Sequence, residues 1–318
     1  MKRVELALLS ALVALSLLPA AAGCGGGDAG GPAVRLGHLR NDLHQLALFV
    51  AQKKGFFEEE GLRVEIAGVY ASGPEEMAAF QAGSLDAGYV GIAPAMAAVA
   101  NGKAEVKALA QANLNGSALV VRNPPSIFGV EDLRGRRVAV PNLGTMQDFL
   151  LRRALADAGL SVSELQVVYM APPEMLSALS SASLDACLVW EPFVARMEAE
   201  GLGSVLLDSR LIWEDHPCCI LAVSSEFLER RPEDARALLR AHRRATAFIK
   251  EHPQEALQLA VEFTGLSEEI VAAAMRRITF TDALNEEATQ QYARFLAEQG
   301  LAAIEDPEGF ASDLLFEP

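Results

Sequence analysis

The chain has 318 residues, 51% of them hydrophobic, and a formal net charge of −15. That charge excludes nucleic acid and an anionic membrane face as partners of the body as a whole. It leaves the ligand open, because a single pocket can be positive on an acidic protein.

Lys2 and Arg3 form a short positive region, and Val4 to Leu18 is nearly all apolar, with Glu5 the one charge. Pro19 breaks the run, and Ala20-Ala21-Ala22-Gly23 supplies small residues before Cys24. This pattern predicts a secretory signal peptide over 1–23, too short and wrongly flanked for a span. The small residues, Cys24 and Gly25-Gly26-Gly27 resemble a bacterial lipobox, which implies a lipidated Cys24 at the mature N-terminus. Residues 24–32 read as a Gly-rich flexible tether. Roughly 295 residues then remain, enough for two domains with cores. Cys187, Cys218 and Cys219 are an odd set for an oxidising compartment. They permit at most one disulfide and a spare thiol, or a metal site.

The body begins with a strand, Val34-Arg35-Leu36-Gly37, and a polar loop, His38-Leu39-Arg40-Asn41-Asp42. A helix starts near Asp42, where Leu43, Leu46, Ala47 and Val50 make a half-buried stripe ending by Gly55. Leu62 to Ile66 is the next strand. Pro74-Glu75-Glu76-Met77 then opens a helix leading into Ser84-Leu85-Asp86-Ala87 and the strand Gly88-Tyr89-Val90. About a hundred residues later the pattern returns, as a repeat should. The second copy is Arg137 to Val140, a helix from Thr145 to near Ala158, Gln166 to Tyr169, Pro173-Glu174-Met175, then Ser183-Leu184-Asp185-Ala186 and Cys187-Leu188-Val189. Each copy is a β-α-β-α-β unit, so the expected fold is α/β with two lobes, each a mainly parallel sheet flanked by helices. Asn123-Pro124-Pro125 marks the expected crossing and His216-Pro217-Cys218-Cys219 the return. These bounds give lobe 1 as 33–122 plus 218–318 and lobe 2 as 123–217. After a strand at Cys219 to Val223 the rest reads as helical. Its stripes are Leu238, Ala241, Ala245 and Phe248, then Ala256, Leu259 and Ala260.

Ligands of open α/β sheets bind beyond the carboxyl ends of strands, so the cleft is the expected site. Helix starts at Asp42 with Gln45, Ser72 with Glu75, and Thr145 with Asp148 present free N–H groups there, which suits an anion. Gly144-Thr145 permits close approach to backbone. Arg40, beside Asn41, could fork onto an oxyanion. Asn113, after the Val106 to Ala110 strand, could bond from the cleft wall; Trp190 and Glu191 follow the second lobe's strand. His216-Pro217-Cys218-Cys219, with His38, His44 and Glu191, offers soft and borderline donors, but without a recognised metal-ligand spacing, so no metal site is predicted. Packing of the cysteines in the strand, or a disulfide to Cys187, is the expected reading, with a ligand-contacting or metal role as the alternative. His242 and His252 read as surface residues.

The Cys24 start, Lys54-Gly55-Phe56-Phe57-Glu58, Glu60-Gly61-Leu62, Ser84-Leu85-Asp86-Ala87, Gly144-Thr145 and Trp190-Glu191-Pro192 together resemble the nitrate/sulfonate/taurine-type solute-binding proteins of ABC importers. These share a domain with thiamine-pyrimidine synthases. The resemblance implies a type II periplasmic-binding fold that is not an enzyme and carries no cofactor. It implies a monomer, lipid-anchored outside the cell membrane, that delivers a small anionic solute to a permease driven by an ATPase. Sulfonate, nitrate or a bicarbonate-like ion are the ligands it suggests. It places contacts at His38 to Asp42, near Gly73 and Gly91, at Gly144-Thr145 and at Glu191. The first loop is richer in His and charge than the family's usual pattern. A pyrimidine-synthase-like enzyme and a transition-metal or chelate-binding protein are the other readings this fold allows.

Overall fold

A computed structural model describes residues 31–316. The expected signal peptide, Cys24 and nearly all of the tether lie outside the described residues. The chain passes through β1 (Val34–Leu39), β2 (Val64–Tyr70), β3 (Ala87–Gly91) and β4 (Val106–Asn115). It continues through β5 (Ser117–Arg122), β6 (Arg137–Val140), β7 (Gln166–Tyr169), β8 (Ala186–Trp190) and β9 (Gly203–Asp208). β10 (Pro217–Ser224) and β11 (Ile278–Phe280) follow. One sheet has the order β11-β4-β10-β3-β1-β2, the other β7-β6-β8-β5-β9.

The repeat in the sequence appears in those orders. β1 pairs in parallel with β2 and β3, as β6 does with β7 and β8. An antiparallel strand comes next in each sheet, β10 beside β3 and β5 beside β8. Parallel neighbours need crossovers rather than hairpins, and helices supply them. Helices on the sheet faces explain why β3 and β8 are buried throughout and read as unbroken runs rather than alternating ones. Edge strand β2 is largely exposed or half-buried.

The passage between sheets differs from the expected one. Ser117–Arg122 pairs with β8 and β9, so the chain changes sheets at Gly116, before Asn123-Pro124-Pro125. The prolines end a strand already in the second sheet. Gly116, at φ +91°, makes the turn between β4 and β5 in a conformation other residues rarely adopt. The carboxyl-terminal part is not wholly helical, because β11 pairs with β4 at the edge of the first sheet.

The helix Pro232–Glu251 opens with proline in its first turn and buries Leu238, Ala241 and Ala245 on one face. It packs on the helix Leu46–Lys53 and is tied to the preceding segment by Arg240 on Glu60 at 2.6 Å. His242, expected at the surface, is fully buried on this helix. Its Nδ1 accepts the Tyr89 hydroxyl at 2.8 Å, and its Nε2–H donates to the Gln111 carbonyl at 2.8 Å. Both ring nitrogens are satisfied in the neutral form, and burial pulls the imidazole down to about 4. An unfolded chain restores the ordinary value near ~6.5. Below that pH the unfolded state takes up a proton that the folded state refuses, so stability is lost as pH falls. We expect the thermal midpoint to drop between about pH 6.5 and pH 4 more steeply in the wild type than in His242→Gln. The difference between the two should reach about 2–3 kcal/mol near pH 4 and be flat above pH 7. Parallel stability–pH curves would show that His242 titrates normally.

Candidate functional site

A small, partly open cavity of about 20 Å³ lies where the two lobes meet. That is room for about one water-sized group. Leu39, Asp42, His44, Gly73, Gly91, Pro94, Cys218 and Cys219 line it from the first lobe. Thr145, Met146, Gln147 and Trp190 line it from the second. These positions follow the carboxyl ends of β1, β3, β6 and β8, where parallel sheets bind ligands. A larger surface recess of about 920 Å³ opens near Arg35, Arg63 and Asp86, at the opposite strand ends.

The loop after β1 is fixed from inside. Asp42 Oδ1 accepts the His44 backbone N–H at 3.0 Å, starting a short 3₁₀ turn, Leu43–Gln45. Gln45 Oε1 accepts the Leu39 N–H at 2.8 Å, while its Nε2 donates to the Tyr89 carbonyl at 2.9 Å and to Asp42 Oδ2 at 3.3 Å. His44 Nε2–H donates to the Gly116 carbonyl at 2.8 Å. Its Nδ1 therefore faces the other way, 3.3 Å from Asp42 Oδ1, 3.4 Å from Cys218 Sγ and 3.8 Å from Cys219 Sγ.

Consecutive residues of a regular strand point to opposite faces, yet both sulfurs reach one histidine. The register of β10 against β4 slips between Pro217 and Cys219 and again between Cys219 and Ile220. Such a bulge re-aims side chains. Asn113 Oδ1 accepts the Cys219 N–H at 3.1 Å and holds the bulge. All three cysteines of the body are free thiols. Cys187 sits in the core of the second lobe, 3.7 Å from the Met197 sulfur, so the expected alternative of a disulfide to it is not realised.

Burial pushes the Asp42 carboxyl up to about 6. Burial opposes a charged His44, but Cys218 and Asp42 outweigh it and raise the imidazole to about 10. A hydrogen bond from Cys219 pulls the Cys218 thiol well below its ordinary range against burial, with His44 helping. Cys219, the donor, is pushed up. Nearby Glu76 is raised well above its ordinary value by burial and by Asp42, and neither of its oxygens has a partner. From the second lobe, Thr145 Oγ1 accepts the Asp148 N–H at 3.3 Å and caps the helix Met146–Asp157. Trp190 is buried with its indole N–H unpartnered.

Of the residues expected at the site, Asp42, Gly73, Gly91, Thr145 and Trp190 line this cavity. The others do not. Leu39 faces the cavity, so strand alternation turns His38 away onto the Leu39 carbonyl at 2.9 Å. Arg40 and Asn41 are exposed. Asn113 holds the bulge, and Gly144, at φ +72°, donates its N–H to Asp148 at 3.2 Å. Glu191 accepts from Arg277 Nη1 at 2.9 Å and from the Ala195 N–H at 3.0 Å, spending its carboxylate on structure. His216 is buried with Nδ1 at 3.4 Å from the Pro217 carbonyl and its Nε2 unpartnered. His44, Gln147, Cys218 and Cys219 add to the lining, with Leu39, Pro94 and Met146. Their adjacency to polar neighbours was visible in sequence; the bulge that turns both sulfurs inward was not.

Comparison with known proteins adds four findings. The model of the NMT1-like family matches residues 27–264. A protein of Bacillus subtilis (strain 168) assigned to aliphatic sulfonate binding is 28% identical over 282 residues, 86% of this chain and 83% of its own. The taurine-binding periplasmic protein of Escherichia coli (strain K12) is 32% identical over 189 residues, 58% of this chain and 57% of its own. Among solved structures, the periplasmic nitrate-binding protein NrtA from Synechocystis PCC 6803 matches with a TM-score of 0.79. It is 18% identical and covers 89% of this chain and 86% of that one, a likeness of fold alone.

A Cβ on Gly116 would stand 2.2 Å from His44 Nε2 and 2.9 Å from Ile278 Cγ1, at a positive φ. Gly116→Ala should therefore destabilise the protein by about 2 kcal/mol or more, read as a lower denaturant midpoint at unchanged slope. An unshifted midpoint would show that the turn relaxes freely.

Proposed function

This chain belongs to the NMT1-like family, among relatives that are solute-binding proteins rather than enzymes, and we propose that it is the capture subunit of an ABC importer. The observation that carries this reading is the cavity at the carboxyl ends of both sheets, lined from both lobes. A ligand touching both lobes favours their closed arrangement by its differential affinity for it. Hinge closure is the motion such proteins use. Gly116, the turn between the sheets, is the natural pivot, and Arg277 spans the lobes onto Glu191 and Glu198 at 2.9 and 2.7 Å. The closed monomer then docks on a permease powered by an ATPase.

Sulfonates, taurine and nitrate, which the relatives' names give, form the first panel of solutes. An anion would meet the start of the helix Met146–Asp157 and the free Trp190 N–H. Arg40, the cation first expected to hold it, is exposed, and among the described residues lining the cavity none is arginine or lysine. Domain limits follow the sheets in this reading: the first lobe ends at Gly116 and resumes near Pro217.

The body is tethered to the outer side of the cell membrane through Cys24. Among the described residues no helix is long and apolar enough to cross a membrane. A lipidated Cys24 with more than one acyl chain would supply stable anchoring.

Titration of the mature protein with its solute should give one site per chain, a smaller radius of gyration by X-ray scattering, and at least tenfold weaker binding in Trp190→Ala. Binding that leaves the radius unchanged and ignores Trp190 would sink the cleft reading. Cys24→Ser should move the protein from the membrane fraction to the soluble extracytoplasmic fraction; unchanged membrane retention would remove the anchor.

A further inference from the structure

We propose that His44, Cys218 and Cys219, with the carboxylate of Asp42 beside them, coordinate one zinc-class transition-metal ion, and that this ion is the cargo of the cleft. The inference rests on the cleft being the ligand site and names the class of ligand.

Four observations carry it. The donor atoms of His44, Cys218 and Cys219 all lie within 4.8 Å of one another, and all three residues are buried. His44 Nδ1 is 3.4 Å from Cys218 Sγ, 3.8 Å from Cys219 Sγ and 3.3 Å from Asp42 Oδ1, and Asp42 Oδ2 is 4.0 Å from Cys219 Sγ. A tetrahedron with metal–ligand distances of about 2.0–2.3 Å has edges of about 3.3–3.8 Å, so the three separations from His44 Nδ1 already fall in the range of such edges. The bulge in β10, pinned by Asn113, brings two consecutive sulfurs onto one face, which apolar packing alone does not require. The Nε2–H of His44 is committed to the Gly116 carbonyl, the outer bond that fixes a metal-ligating imidazole with its other lone pair inward.

The competing explanations are weaker on the same facts. A disulfide between adjacent cysteines is strained, and both are free thiols. An oxyanion would have to sit against Asp42 and two sulfurs. A divalent cation is balanced by two thiolates: on coordination the Cys219 proton and the proton shared by His44 and Cys218 leave to water, and the Asp42 carboxylate brings the buried site to one net negative charge. Two sulfurs with an imidazole select zinc-like or cuprous ions over magnesium or calcium. The cavity beside these donors, about 20 Å³ and lined also by Thr145 and Trp190, leaves space for one further water-sized group.

The test uses the mature protein, stripped of metal, kept reduced and dialysed against zinc, with bound metal measured by elemental mass spectrometry. One equivalent per chain is expected. His44→Ala, Cys218→Ser and Cys219→Ser should each weaken it at least tenfold, and Asp42→Asn less. Cobalt loaded into the wild type should give thiolate-to-metal charge-transfer absorption, a readout that needs no variant to fold. X-ray scattering should show contraction on zinc. Absence of stoichiometric metal, absence of the cobalt band, or uptake unaffected by both cysteine substitutions would overturn the site. Metal bound without contraction would overturn its role as cargo. Contraction on a sulfonate or nitrate by protein that takes up no metal would overturn this inference and leave the solute-capture reading standing.

Discussion

The carbonyl oxygen of Gly116 holds the molecule's parts in relation. It belongs to the single residue between β4 of one sheet and β5 of the other. It accepts the His44 Nε2–H from the first lobe at 2.8 Å and the Glu191 N–H from the second at 2.9 Å. A buried carbonyl has two lone pairs, and leaving either unmet is costly. Satisfying both fixes the His44 ring, which faces Cys218, Cys219 and Asp42. It also seats the end of β8, which carries Trp190. Glycine is needed for this because the backbone sits at φ +91° and a Cβ would overlap the imidazole.

Around that point the polar groups form a connected set. Gln45 links Leu39, Asp42 and Tyr89, Asn113 links β4 to the bulge in β10, and Gln147 donates to Ser117 at 3.0 Å. Such networks rigidify a core when each member is satisfied. The members left without partners are therefore informative. Trp190 lines the cavity with its indole N–H unpartnered, while burial and Asp42 push the Glu76 carboxyl up and its oxygens have no partner. The cleft floor thus combines a rigid frame with a few groups free to meet a ligand.

The membership of this chain in the NMT1-like family and the cleft chemistry bear on different questions. Family and fold place the chain among two-lobed α/β proteins whose curated relatives are named for binding sulfonates and taurine. The side chains on the cleft floor bear on which ligand chemistry it suits. Here they are sulfur, imidazole and carboxylate, while Arg40, the residue first expected to grip an anion, stands in solvent. Glu191 was drawn to the site by its place after β8, but it closes an ion pair with Arg277 across the lobes.

Local pattern determined much of this protein by itself. The repeated β-α-β-α-β units follow from hydrophobic spacing and Gly or Pro punctuation, which act within a few residues. Helix caps at Asp42 and Thr145, and the glycines at 73 and 91, were legible for the same reason. What the pattern could not carry were facts that depend on partners distant in sequence. The change of sheet at Gly116 is set by pairing of Ser117–Arg122 with β8 and β9, not by the later prolines. The burial of His242 is set by Tyr89 and Gln111. The meeting of Cys218 and Cys219 with His44 spans more than 170 residues and depends on a one-residue slip in register. Strand alternation would have turned one sulfur away, and only the tertiary pairing of β10 with β4 decides that both face the cleft.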